Sequence, residues 1–280
     1  MTQEKRRIYL IKALQNEMPE NADIEIPENV QGQRDLLRAL FNVRMPAPAS
    51  DEFLKVQDEY LRERAREKGI TDAADLKPVS SDERLILWQG DITALRCDAV
   101  VNAANSSMLG CFQPLHGCID NFIGTFSGIE LRLEEYRRME EFRNIYGTDY
   151  KQPTAVPIIT DAYNLPSKKI VHVVGPIVTP FLMQEHIDQL AQCYSSCLDI
   201  AAEHCCDDIA FCCISTGVFM FPQDKAAEIA VKTVKEWLDA HPDSSLKKVI
   251  FNVFKDSDMR IYQKLLGSAD GHGFKKVMGR

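Results

Sequence analysis

No apolar run in this chain approaches the roughly 18–20 residues that a membrane-spanning helix requires. The opening stretch, MTQEKRRIYLIKAL, is charged at once and lacks the pattern of a signal peptide. These two absences predict a cytoplasmic protein with no membrane partner; an organelle matrix is the other compartment they allow. No CxxC occurs, which removes a thioredoxin-like redox motif. Neither a Walker A loop nor a GxGxxG fingerprint is present. Positive charge is also short: 33 Lys and Arg stand against 41 Asp and Glu, a net −8. That balance counts against a general nucleic-acid binder. An anionic small ligand stays open, because backbone amides can hold one.

Cysteine, by contrast, is plentiful and odd in number, nine in all. Without an export signal a disulfide framework is not expected. Cys212 and Cys213 fall in IAFCCIS, which reads as a buried strand where a thiol acts as a small hydrophobe. Cys193 and Cys197 sit four apart on a helical pattern and read as core.

The 280 residues suffice for one large domain with a smaller one attached. Roughly the first 80 are strand-poor. RRIYLIKALQNE, QRDLLRALFNV and DEFLKVQDEYLRERAREKGI repeat apolar residues at helical spacing, with Ser50 as an N-cap and Gly69 closing the third. No chemistry is expected there. From Arg84 the texture changes to short β-branched segments, RLILWQ, DAVVNAA, AVPIIT, KIVHVVGP, IAFCCIS and KKVIFNVF. The later ones alternate with helical stretches beginning near Met183, Gln223 and Ser257. Strands alternating with helices predict an α/β layered domain with its site beyond the carboxyl ends of the strands.

Four of those strand ends carry unusual residues. In WQGDI, Asp91 can accept from a ligand amine or simply cap a turn. In VVNAANSS, Asn102 and Asn105 flank two alanines; carboxamides suit sugar hydroxyls, and asparagines also serve turns. STGVFMFP, Ser215 to Pro222, precedes a helix and reads as a phosphate cradle of backbone amides or as a tight turn. In NVFKDSD, Phe254 can stack on a flat base, or belong to the core.

The fifth odd segment is GCFQPLHGCID. Cys111, His116 and Cys118 put three soft donors on one short loop, at C-x4-H-x-C spacing. Thiolate and imidazole are preferred zinc donors, and three protein ligands with an open position characterise a catalytic ion. Asp120 is the nearest candidate for a fourth ligand. The same spacing also fits a structural knuckle completed from afar, or two buried thiols.

In order and spacing, GDI, DAVVNAANSSMLG, YNLPSKKIVHVVGPIV and ISTGVF–FP resemble the macrodomains, which bind ADP-ribose. The loop GCFQPLHGCIDN, in place of a glycine-rich one, resembles the zinc-dependent macrodomains, the sirtuin-linked protein ADP-ribosyl hydrolases. The resemblance implies a three-layer α/β/α fold with a mixed central sheet over residues 81–270. A helical extension over 1–80 precedes it and a C-terminal tail over 271–280 follows. It implies a Zn2+-dependent hydrolase removing mono-ADP-ribose from protein side chains. The relatives' setting adds a partner: a lipoylated carrier protein modified by a sirtuin-like transferase. The alternatives are a non-catalytic ADP-ribose reader and an O-acyl-ADP-ribose deacylase.

Carried over residue by residue, Asp91 and Ile92 would frame adenine, and Phe254 would stack on it. Ser215, Thr216, Gly217, Val218 and Phe219 would wrap the diphosphate. Asn105 would contact the distal ribose, with Asn102 behind it. Cys111, His116 and Cys118 would hold the zinc, and Cys118, Ile119, Asp120 and Asn121 would line the ribose. Asn105, Cys118 and Asp120 would serve the chemistry, Asp120 by orienting a water or a hydroxyl. Two departures stand out. In FIGTFSGIELR, Gly124 replaces a histidine and Phe126-Ser127 a small apolar pair; Met220 replaces a glycine of the phosphate loop.

Overall fold

Residues 1–267 are described by the computed structural model; the expected tail over 271–280, and residues 268–270, lie outside them. Three helices open the chain: α1 (Gln3–Glu17), α2 (Val30–Val43) and α3 (Asp51–Lys68). Each starts on a side-chain cap. Thr2 accepts from the Lys5 N–H, Asn29 from Gly32 and Ser50 from Phe53. Each cap satisfies one of the amides that a helix start leaves open. Leu10, Leu14, Leu37, Phe41, Phe53 and Tyr60 recur at helical spacing and close into one apolar cluster.

A short parallel pair follows, β1 (Thr71–Asp72) with β4 (Leu95–Arg96). The main sheet has seven strands: β2 (Pro78–Val79), β3 (Asp82–Gln89), β5 (Ala99–Ala104), β6 (Ile158–Asp161), β7 (Lys169–Val174), β8 (Asp208–Phe211) and β9 (Lys248–Val253). Their order is β2-β3-β9-β8-β5-β7-β6. The five central strands are parallel, and the two edge strands antiparallel. Val100, Val101, Ile170, Val171, Ile209 and Ile250 are fully buried, as a sheet covered on both faces requires. The covering helices are α4 (Ile119–Ser127), α5 (Ile129–Tyr146), α6 (Gln184–Glu203), α7 (Gln223–Ala240) and α8 (Asp256–Leu266). The fold is the expected α/β/α arrangement with a mixed sheet, behind a helical N-terminal region.

Two elements depart from the sequence reading. Helix α5 is absent from it, because its buried face, Ile129, Leu131, Glu135 and Met139, includes a carboxylate that breaks the apolar rhythm. Strand β8 stops at Phe211, so Cys212 and Cys213 leave the ladder before the turn at Ser215. Both thiols are still pushed up by burial, Cys212 to about 11, as small hydrophobes should be. The nine cysteines are all free thiols.

The helical unit and the sheet domain are joined by shared groups. Ile129 belongs to the N-terminal cluster, and Phe126 packs on both cores. Gln57 of α3, fully buried, accepts the Ile129 N–H through Oε1 at 2.9 Å and so caps α5 from outside. The turn that aims this amide is Gly128, at φ +100 and ψ 175, a conformation essentially reserved for glycine. A Cβ there would come within 2.7 Å of the Gln57 amide. Gly128→Ala is therefore expected to cost about 1–3 kcal/mol, read as a lowered midpoint in urea unfolding. An unchanged midpoint would show that the α4–α5 turn is free to relax.

Candidate active site

Strands β3, β9, β8 and β5 are adjacent and parallel, so their carboxyl ends lie along one edge of the sheet. Those four ends carry Asp91, Phe254, the 215–219 loop and Asn105. Topology alone thus gathers residues spread over more than half the chain.

The ribose end is built on β5. Asn102 is 1% exposed, and its Nδ2 donates to Asp120 Oδ1 at 2.8 Å. Asn105, half-buried, donates to Asp120 Oδ2 at 3.0 Å and to the Gly110 carbonyl at 3.0 Å. Asp120 is 5% exposed, and burial raises its pKa despite these two amides. Asn102 is turned into the protein, behind Asn105, with its Nδ2 spent on Asp120. Each Asp120 oxygen accepts from one asparagine, so the carboxylate orients both carboxamides. Asn121, 1% exposed, accepts from Arg38 through Oδ1 and donates through Nδ2 to the Gln113 carbonyl. Ile119 packs against the main core.

Behind Asn102 lie a buried histidine and a buried carboxyl group. His172, fully buried, is pushed down to about 3 by desolvation, and its Nδ1 is 3.2 Å from Glu135 Oε1. Burial, with Asp120 adding to it, raises Glu135 well above the usual carboxylate range. Burial disfavours the charged form of each, and Asn102 Nδ2 lies 3.1 Å from the same His172 Nδ1. Thr160 Oγ1 meets the other ring nitrogen at 2.9 Å.

Cys111, His116 and Cys118 converge: one donor atom from each lies within 4.8 Å of the others, and Cys111 Sγ is 3.6 Å from His116 Nδ1. All three are half-buried. Burial pushes the Cys118 thiol up to about 12. A thiolate at that position therefore needs a cation beside it, as zinc binding provides. Asp120 is not among the convergent donors, and no fourth member joins them among the described residues. The donor set fits a zinc ion with one open side.

The phosphate end is the loop after β8. Ser215 and Met220 both adopt positive φ, +63° and +59°. The amides of Ser215, Gly217, Val218 and Phe219 meet no acceptor among the described residues. Ser215 Oγ is buried and unpartnered, and Thr216 is half-buried. Helix α7 begins just beyond, at Gln223, without a side-chain cap. The geometry offers an anion several donors at once.

At the far end, Phe254 follows β9 and is 77% exposed, so it is not a core residue. Ile92 is buried and belongs to the main core. Asp91 caps the short turn Ile92–Ala94, with Oδ1 accepting the Thr93 N–H at 2.9 Å. Its Oδ2 accepts from Lys68 Nζ at 2.8 Å. Burial raises Asp91, but Lys68 and Thr93 outweigh it and the net shift is downward. Lys68 itself is lowered to about 8 by burial, which Asp91 partly offsets. Its Nζ sits 3.1 Å from the Phe126 ring centroid. Lys68 comes from α3, as Arg38 comes from α2. The helical region, where no chemistry was expected, thus touches these residues directly. The sequence showed Lys68 only as a basic residue in a last helical turn, and nothing in it ties that turn to Asp91.

The macro domain family model matches residues 101–230. A protein-ADP-ribose hydrolase of Treponema medium is 48% identical over 268 residues, covering 95% of this chain and 100% of that protein. One from Staphylococcus aureus (strain MSSA476) is 44% identical, covering 91% of this chain and 93% of that protein. Among solved structures, the Trypanosoma brucei macrodomain in complex with ADP-ribose superposes with a TM-score of 0.61 at 27% identity, covering 82% of this chain and 95% of that one.

The neutral His172 makes a pH prediction. Its folded value of about 3 lies below the ordinary histidine value of about 6.5. As pH falls below about 6.5 the unfolded chain binds the proton first, so stability present above that pH is lost progressively towards about 3. Glu135, raised, contributes in the opposite sense, losing stability as pH rises. Between about pH 6 and 4, wild-type unfolding free energy should fall more steeply than that of His172→Gln, by up to about 1.4 kcal/mol per pH unit. Urea titrations across that range measure it; parallel slopes would mean that folded His172 takes up the proton.

Proposed function

The chain belongs to the macro domain family, and from that premise we propose that it removes mono-ADP-ribose from modified proteins with a zinc ion held by Cys111, His116 and Cys118. It is a protein-ADP-ribose hydrolase like the two relatives of that name, which match at least 91% of its length. The observation that carries the zinc reading is the convergence of three soft donors within 4.8 Å. They lie directly before the helix whose Asp120 fixes Asn105. A module that only binds ADP-ribose gains nothing from such a set.

The residues divide the work along the strand ends. The free amides of the 215–219 loop and the start of α7 bind the diphosphate. Phe254 stacks on adenine. Asp91 accepts from the adenine amine; Thr93 and Lys68 occupy three of its roughly four acceptor sites and leave one. Asn105, fixed by Asp120 and the Gly110 carbonyl, faces the distal ribose. Zinc with three protein donors and an open side supplies Lewis acidity at neutral pH. Binding at the adenine and phosphate ends holds the bond to the protein side chain still beside that centre.

Metal analysis combined with release of ADP-ribose from a mono-ADP-ribosylated protein tests this reading. A lipoylated carrier modified by a sirtuin-like transferase is the first substrate to try, a choice that rests on resemblance alone. His116→Ala and Cys118→Ala should keep a cooperative thermal transition yet lose both bound zinc and turnover. Phe254→Ala should weaken ADP-ribose binding by about 1–3 kcal/mol in calorimetry, the usual worth of one base–aromatic stack. Zinc-loaded wild type that binds ADP-ribose and never releases it from protein would leave the reader function instead. Turnover of O-acyl-ADP-ribose alone would leave the deacylase.

A further inference from the structure

The loop that carries the three soft donors has no regular structure between Gly110 and Cys118. Its turn places Leu115 at φ +57, a conformation that side-chain-bearing residues avoid. Something outside the loop must hold it there. Helix α2 supplies the partners. Arg38 and Asn42 are four residues apart and so lie on one face.

Arg38 Nη2 donates to the His116 carbonyl at 2.6 Å and to Asn121 Oδ1 at 2.6 Å, while Nε reaches the same Oδ1 at 3.1 Å. Asn121 Nδ2 passes the connection on to the Gln113 carbonyl at 2.9 Å. The Arg38 guanidinium also lies 4.1 Å from the Phe122 ring centroid. Asn42 Oδ1 accepts the Leu115 N–H at 3.1 Å, and its Nδ2 donates to Thr125 Oγ1 at 3.0 Å. The backbone on both sides of the strained residue is therefore gripped from α2, while the imidazole is left free.

We propose that Arg38 is a positioning residue for the metal site: through His116 and Asn121, and together with Asn42, it holds the 111–118 loop in the shape that brings the donors together. The N-terminal helices thus form a working wall of that site. Arg38 donates only to a carbonyl and a carboxamide, so it is no ligand. Its planar fork spans the two acceptors, which a lysine ammonium cannot reproduce. The inference rests on the zinc reading.

The experiment uses the full chain and zinc alone as probe. Zinc affinity is measured by chelator competition for wild type, Arg38→Ala, Arg38→Lys and Asn42→Ala, each at a temperature where circular dichroism shows it folded. ADP-ribose affinity of the metal-stripped proteins is measured beside it. Loss of a residue that orients metal ligands typically weakens metal binding about 10–100-fold, and that loss is expected for Arg38→Ala. Arg38→Lys should recover only part of it, and Asn42→Ala should show a smaller loss. ADP-ribose affinity without metal should not change. Should Arg38→Ala fail to fold, Arg38→Lys decides. Equal zinc affinity in wild type and a folded Arg38 variant would overturn the positioning role alone. Wild type that takes up no zinc would overturn that role and the zinc reading together.

Discussion

Asp120 is the joint on which the site depends. A carboxylate this deeply buried is costly unless its oxygens are satisfied. Asn102 and Asn105, two positions at the end of one strand, satisfy one oxygen each. Because Asp120 lies in the first turn of α4, the same bonds set where that helix begins relative to β5. Cys118 caps that start, its Sγ accepting the Asn121 N–H at 3.4 Å. One buried acid thereby fixes the Asn105 carboxamide and the Cys118 thiol in a common frame. Buried His172, 3.1 Å from Asn102 Nδ2, and Glu135 beside it back the asparagines.

Three cations of this acidic chain are turned inward. Arg132 donates to the carbonyls of Phe41, Asn42 and Arg44, which the end of α2 leaves open, and to those of Leu109 and Cys111 on the loop. Arg38 does the same from the other side, and Lys68 is taken by Asp91. Each joins the helical unit to the sheet domain across a boundary that the apolar cores also share. An anion at the strand ends is met by backbone amides, whose dipoles are fixed by the fold and need no counter-charge.

Much of this was legible in the residues. The alternation of β-branched segments with helical ones identified the layered fold, and the carboxyl-end rule placed the site before any contact was known. Cys111, His116 and Cys118 could be read because they are close in sequence, so their meeting needs only a short loop. What stayed hidden was long-range. Asp120 looked like a free carboxylate because nothing local shows that Asn102 and Asn105 will close over it. Arg38, Asn42 and Lys68 looked like ordinary helix-surface residues, since the helical region has its own apolar rhythm and says nothing of what its polar face meets. Helix α5 was missed for the converse reason: burial of Glu135 makes its inner face look polar.

The phosphate loop shows how a departure from the family pattern can be absorbed. Met220 stands where glycine is usual and keeps the left-handed conformation that glycine would adopt freely. For a residue with a side chain that costs roughly 1–2 kcal/mol. The loop offsets it with three bonds. The Phe221 N–H donates to the Ser215 carbonyl at 3.0 Å and closes the loop on itself; Met220 donates to Gly217. The Val178 N–H donates to the Phe219 carbonyl at 2.9 Å and ties it to the segment after β7. Phe221 is buried and anchors the end of the loop, while the Met220 side chain stands in solvent. A loop held this way has little conformational freedom left to lose when an anion arrives. Its unpaired amides are arranged beforehand, and that is the condition under which weak backbone donors can bind a diphosphate without a single lysine.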